Sequence, residues 1–198
     1  MSRLPAAKRR EQLLDSAARL FAERGYSGAT TSELAKAAGV TEPIIYRHFE
    51  SKRDLFVALI ERSGEQTIEQ WTAHLASADS PAERLRRLIG ANPMVMDSGR
   101  GLYRVIVQAM TAIEDEAILA ALQRHVASLH EFIAGEVVKA QEAGVVGKSF
   151  SPDITAWVLL HLGLGYGMLA PLRIPGHGRD ERGMHVRDLV ERLMLGQK

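Results

Sequence analysis

Between Thr41 and Lys52 this chain gathers a hydroxyl, a carboxylate, a phenol, a guanidinium, an imidazole and an ammonium, on Thr41, Glu42, Tyr46, Arg47, His48 and Lys52. The last four fall within seven residues. Cations and hydroxyls placed together hold phosphates and fix register, while side chains at the start of a helix reach base edges in a major groove. A basic arm, Lys8-Arg9-Arg10, lies upstream. This is an inventory for binding a polyanion rather than for breaking a bond.

Patterns for bond chemistry were sought and fail. His130-Glu131 begins an H-E-x-x pattern, but its closing position is Ala134, so no zincin motif forms. There is no G-x-S-x-G and no P-loop. Gly163, Gly165 and Gly167 lie inside an apolar helical run with no strand before them, so they make no dinucleotide fingerprint. Glu114-Asp115-Glu116 reads as a solvated turn and helix start. With 0 cysteines, disulfides, thiol nucleophiles and iron–sulfur clusters are excluded. No catalytic residue, cofactor or metal is expected.

The elements that position the binding groups are helices. Leu13, Ala17, Leu20 and Phe21 share one face of a first helix that Gly25 ends. Thr30 and Glu33, at capping-box spacing, open a second that Gly39 ends. Pro43 fits the first turn of a third, with either Thr41 or Glu42 as its cap. Ser51 and Asp54 open a fourth, running to about Leu75. Thr30 to Lys52 is thus two short helices around a Gly-containing turn, the form of a helix-turn-helix, although an ordinary helical hairpin carries the same punctuation. Small Ala35 permits close approach, Leu34 faces the first helix, Val40 and Ile45 plug the angle, and Phe49 belongs to the core.

Further on, Ser80-Pro81-Ala82-Glu83 starts a helix, Asn92-Pro93 breaks it, and Asp97 to Gly101 reads as a turn. An apolar stripe from Leu102 to Ile113, a long helix from Ile118 to Val137, an apolar helix after Ser151-Pro152-Asp153 and a last helix through Leu193 complete the chain. The apolar run Ile154 to Ala170, 17 residues, is read as a buried helix, being below the ~20 residues of a membrane span. The fold expected is all-α, about nine helices, without a sheet.

The segment Leu13 to Phe56 resembles the tetracycline-repressor family of bacterial regulators. The resemblance rests on LLDSAARLFAERGY, GATTSELAKAAGV and TEPIIYRHFESKRDLF, with IYRHFESKRDL as its most specific piece. It implies a homodimeric transcriptional regulator, usually a repressor, released from an operator in double-stranded DNA by a small ligand. Matched by position, Thr31, Tyr46, His48 and Lys52 look like phosphate contacts, and Ser32, Glu42, Pro43, Ile44 and Arg47 look like base-facing residues. Two positions depart from the family pattern. Glu42 stands where Lys or a neutral-to-basic residue is common, and Ile44 where a small hydroxyl residue is frequent. Glu can accept from cytosine N4 and Ile can touch a thymine methyl. Glu42 can also simply favour a helix N-terminus.

The resemblance implies a head at residues 1–54 and a ligand-binding and dimerisation body at residues 55–198. Tyr103, Trp157 and His161 are the candidate ligand contacts, each with plain core packing as the alternative. Gly163 and Gly167 are assigned either to a dimer interface on the last two helices or to packing within the chain. The fourth helix is the one element long enough to connect head and body. Charge agrees with this division: residues 1–60 hold ten Lys/Arg and seven Asp/Glu, a net of +3, against −2 for the rest. No secretory signal or membrane span is read, so a cytoplasmic protein is expected. An all-α small-molecule-binding protein or enzyme is the other function class the sequence leaves open.

Overall fold

The computed structural model describes residues 4–90, 100–149 and 151–196. Among the described residues there are nine α-helices and no strand: α1 Ala6–Gly28, α2 Thr31–Ala38, α3 Glu42–Tyr46, α4 Lys52–Ala76, α5 Pro81–Gly90, α6 Arg100–Met110, α7 Glu116–Glu142, α8 Pro152–Leu169 and α9 Val186–Leu195. The all-α expectation holds. The breaks expected at Asn92-Pro93 and at Asp97 to Gly101 lie outside the described residues, apart from the last residue or two, which belong to α6.

Local signals set most helix ends. Gly25 adopts φ 73°, ψ 165°, so the regular run of α1 stops there although helical turns resume to Gly28. A side chain at Gly25 would also crowd the Gln108 amide, at 3.1 Å. At α2 the capping box is formed: Thr30 Oγ1 accepts from the Glu33 N–H at 3.2 Å, and Glu33 Oε2 accepts from the Thr30 N–H at 3.0 Å. These bonds hold the Glu33 carboxyl below its ordinary range, the backbone bond most of all. Gly39 closes α2 in the left-handed conformation, φ 65°. Thr41, extended, is the N-cap of α3, which decides between the two cap candidates. Ser51 and Ser80 accept from the Asp54 and Glu83 N–H groups and start α4 and α5. Asp115 accepts from the Ala117 and Ile118 N–H groups, so the acidic triplet is a helix start.

The chain forms two compact units, one of residues up to Glu65 with Gly101–His125, the other of Gln66–Arg100 with Val126 onward. Packing therefore follows a different line from a functional boundary at residue 54. Helix α6 packs with the first three helices. Both α4 and α7, not α4 alone, contribute residues to both units.

In the first unit, Leu13, Leu14, Phe21, Leu34, Ile45 and Leu59 are buried together with Val105 and Ile106 of α6 and Ile118 of α7. Phe56 centres an aromatic cluster, edge-on to Phe21 at 5.0 Å and stacked on Tyr26 at 4.5 Å. Phe49 is in the core, as expected. His125 is only 5% exposed, and neither ring nitrogen has a hydrogen-bond partner among the described residues. Burial pushes its pKa down to about 4. It lies against Gly64 of α4, where a Cβ would sit 2.8 Å from Nδ1, so the pair requires the glycine.

In the second unit, Trp71, Leu75, Leu85, Leu129, Ile133 and Leu160 are buried. Arg84 of α5 makes a two-bond pair with the buried Glu136 of α7, and Lys139 Nζ lies 2.8 Å from the same carboxylate. Burial raises the Glu136 pKa and these cations outweigh it, leaving the carboxyl below its ordinary value. The reading of α8 as a buried helix is corrected here. Thr155, Ala156 and Leu160 are inside, but Ile154, Val158 and Met168 are exposed at 63, 48 and 56%. A helix apolar on every side has more apolar surface than its own unit covers. Gly167 is buried and Gly163 lines a cavity. No helix among the described residues is long and apolar enough to cross a membrane.

Candidate functional site

The turn after α2 presents α3 with its apolar residue Ile45 inward and Thr41, Pro43, Tyr46 and Arg47 outward. Ser32 at the start of α2 is also exposed, and Thr31, Glu42, Ile44, His48 and Lys52 are half-buried. All ten candidate DNA-contact residues thus reach solvent in one unit.

Three of them are linked to each other. Tyr46 Oη donates to Thr31 Oγ1 at 3.3 Å, and Thr31 Oγ1 donates to Glu42 Oε2 at 3.1 Å. This chain fixes the N-terminus of α2 against α3 and orients two hydroxyls. Glu42 is therefore neither a free base reader nor only a helix-dipole partner. Its carboxylate takes the position an anion would take toward Thr31. Arg47 has no protein partner among the described residues, so its guanidinium is unspent at the end of α3.

Lys52 also has partners within its own unit. Its ammonium donates to the carbonyls of Tyr26 at 2.9 Å and Ala29 at 3.0 Å and lies 4.6 Å from the Tyr26 ring centroid. Two of its three donors close the end of α1, leaving one for anything else. Lys8, Arg9 and Arg10 lie within the first turns of α1 rather than in an arm before it; Arg10 stacks on Phe49 at 5.2 Å, and Gln12 donates to the Ala38 carbonyl and ties α1 to the end of α2.

The second unit contains a cavity of about 300 Å³. Its apolar wall includes Trp71 of α4, Leu88 of α5, Ile133 of α7, Leu159 and Leu162 of α8 and Val190 of α9. Its polar groups are Tyr166, His185 and Arg187. Trp157 and His161 are not among the lining residues. Trp157 is 39% exposed and stands between the rings of His130, at 4.7 Å, and His161, at 5.9 Å, along the outer side of α8. Trp157 and His161, four residues apart, share one exposed face of α8. The side chain of Tyr103 lies outside the described residues, as do Met94 and Met96. Trp71 and Tyr166 were visible in the sequence only as aromatics on apolar faces. His185 and Arg187 follow a polar loop and carry no motif signal.

Residues 13–59 match the family model described as bacterial regulatory proteins, tetR family. The chain is 34% identical over 107 residues to the HTH-type transcriptional activator FasR of Mycolicibacterium smegmatis, a match covering 54% of this chain and 49% of that protein. It thus spans about half the length of that relative. It is 30% identical over 148 residues to the nucleoid occlusion factor SlmA of Marinobacter nauticus, covering 75% of this chain and 74% of that protein. The crystal structure of a transcriptional regulator, TetR family, from Agrobacterium tumefaciens superposes with a TM-score of 0.74 at 16% identity, covering 96% of this chain and 100% of that one. At that identity the likeness is one of fold alone.

Proposed function

This chain belongs to the tetR family of bacterial regulatory proteins, and from that premise we propose that it is a cytoplasmic, homodimeric repressor that a small ligand releases from operator DNA. The observation that carries the reading is the α2–α3 surface. Thr31 of α2 is interlocked with Glu42 and Tyr46 of α3, and Arg47, without a partner among the described residues, caps the end of α3. Residues 1–54 are the DNA-contacting segment. Thr31, Tyr46 and His48 meet phosphates, with one remaining donor of Lys52. Ser32, Thr41, Pro43, Ile44 and Arg47 face the bases, and Glu42 sets the orientation of the hydroxyls beside them.

The exposed apolar residues Ile154 and Val158 of α8 and Leu189 and Leu193 of α9 support a dimer that covers them. A two-fold dimer reads a near-palindrome with half-sites about one helical turn, ~34–36 Å, or a near multiple apart. The ligand occupies the cavity of the second unit, not the Trp157–His161 surface. It releases DNA only to the degree that it prefers the released conformation.

Footprinting of the full chain on the DNA upstream of its own gene tests this. One protected near-palindrome is expected, and Arg47→Ala should cost ~1–3 kcal/mol, concentrated at one base pair of each half-site. Absence of any protected site, or a uniform loss across all sequences for Arg47→Ala, contradicts the assignment.

A further inference from the structure

The wall of the second unit's cavity is one-signed in its chemistry. Among the described residues that line it, Tyr166, His185 and Arg187 are the only hydroxyl or ionisable side chains, and none is a carboxylate. All three line the same cavity, and Gly178 lies between the Tyr166 ring and the start of α9. A Cβ on Gly178 would meet the Tyr166 ring at 3.1 Å, and the Gly178 carbonyl accepts from the Val186 N–H at 3.0 Å, so one loop residue joins the phenol to the start of α9. Trp71, at 1% exposure, belongs to the apolar wall.

The acids near this polar end are already engaged. Asp188 accepts from the His185 N–H at 2.9 Å and meets Arg187 Nε at 3.4 Å, and Glu191 pairs with Arg86 at 2.9 Å. Asp180 accepts from the N–H groups of Arg182 and Met184. His185 turns Nε2 to the guanidinium of Arg179, at 2.8 Å, placing a second cation behind the imidazole. Arg187 itself spends Nε on Asp188 and makes only a long 3.5 Å contact from Nη1 to the Gly90 carbonyl. Its Nη2 has no protein partner among the described residues.

We propose that this cavity selects an amphipathic monoanion, its apolar body against Trp71, Leu88, Ile133 and Leu159 and its carboxylate on the outer guanidinium nitrogens of Arg187, with the Tyr166 hydroxyl as second donor. Arg187 is then the specificity-determining residue. The proposal rests on the ligand-binding reading above and sharpens it from a hydrophobic ligand to an anionic one. A volume of about 300 Å³ admits roughly ten groups the size of a water. A straight ten-carbon acid is therefore the fitting probe, and it is ionised at pH 7.

The test is calorimetric titration of the full chain at pH 7 with decanoate, decan-1-ol and decyltrimethylammonium, each below its micelle concentration. Decanoate should bind about tenfold or more tighter than decan-1-ol, and the cation weakest. Arg187→Met, which keeps the aliphatic stem, should erase the preference for decanoate over decan-1-ol, and Arg187→Lys should restore part of it. Equal binding of acid and alcohol, or a preference that survives Arg187→Met, overturns the anion selection and leaves the cavity as a ligand site. Failure of all three probes to bind overturns the ligand-site reading along with it.

Discussion

The unit built on α1 to α3 and the α8–α9 region of the other unit treat their apolar residues in opposite ways. In the first, Leu13, Leu14, Leu55, Phe56, Leu59 and Ile60 are wholly excluded from solvent. Its polar groups are outside or tied to one another, as in the Thr30–Glu33 box and the Thr31–Glu42–Tyr46 chain. In the second, α8 is apolar on every side and α9 carries one apolar face, yet Ile154, Val158, Leu189 and Leu193 face water. A region that buries what it can is complete as a single chain. A region that leaves such residues exposed gains free energy only when something else covers them. The surface proposed to meet DNA therefore stands on the complete region, and the surface proposed for dimerisation on the incomplete one.

The sharpest way to break this contrast is to remove the same kind of side chain from each region. Phe56→Ala should cost ~3–5 kcal/mol of unfolding free energy, because the ring leaves a cavity in a sealed core. Leu193→Ala, at 68% exposure, should cost little in the monomer and act instead on self-association, weakening the dimer by sedimentation. Comparable losses in monomer stability from both would show that α9 is as finished as the head.

Arg84→Met should come next, at about 3 kcal/mol in denaturant unfolding. It strands the buried Glu136 carboxylate, and Lys139 offsets only part of the loss. The same change at the exposed Arg53, which pairs loosely with Asp115 at 3.9 Å, should be within ~0.5 kcal/mol.

His125 supplies a pH test of the sealed unit. Its folded pKa of about 4 lies below the ~6.5 of an unfolded histidine, so the unfolded chain binds the proton first as pH falls. Stability is full above pH ~6.5 and is lost as pH falls toward 4. Against His125→Asn, which keeps a polar atom near the place of Nδ1, the wild-type chain should lose about 2 kcal/mol more between pH 7 and pH 5. Parallel pH profiles for the two proteins would mean that the imidazole is hydrated. Thr30→Ala should cost ~1 kcal/mol, from loss of one half of the capping box.

The same contrast separates what was legible in the sequence from what was not. Thr30, Gly39, Ser51 and Ser80 act on backbone within a few residues, and each boundary they announced is present. The apolar spacing of Leu13, Ala17 and Phe21 likewise named a face that is buried. What spacing cannot say is which partner covers a face. It gave no sign that α6 packs with α1 to α3, or that the Trp157–His161 side of α8 is the side left open. Both depend on contacts tens of residues away. Lys52 was placed correctly at the head of α4, but its bonds to Tyr26 and Ala29 needed the three-dimensional end of α1. His185 and Arg187 reach the cavity only because the loop returns through Gly178 to Tyr166.

The central claim is that α3 and its neighbours bind DNA as half of a two-fold pair. It is tested most directly by titrating the full chain into a labelled duplex from upstream of its own gene, over a range of salt concentrations, with the mass of the complex measured by light scattering. The account predicts two protomers on one site, affinity well above that for a scrambled duplex, and a steep fall in affinity with rising salt as phosphate contacts release counterions. Binding that is insensitive to salt, or no tighter on the upstream duplex than on the scrambled one, or a single protomer at saturation, would contradict it.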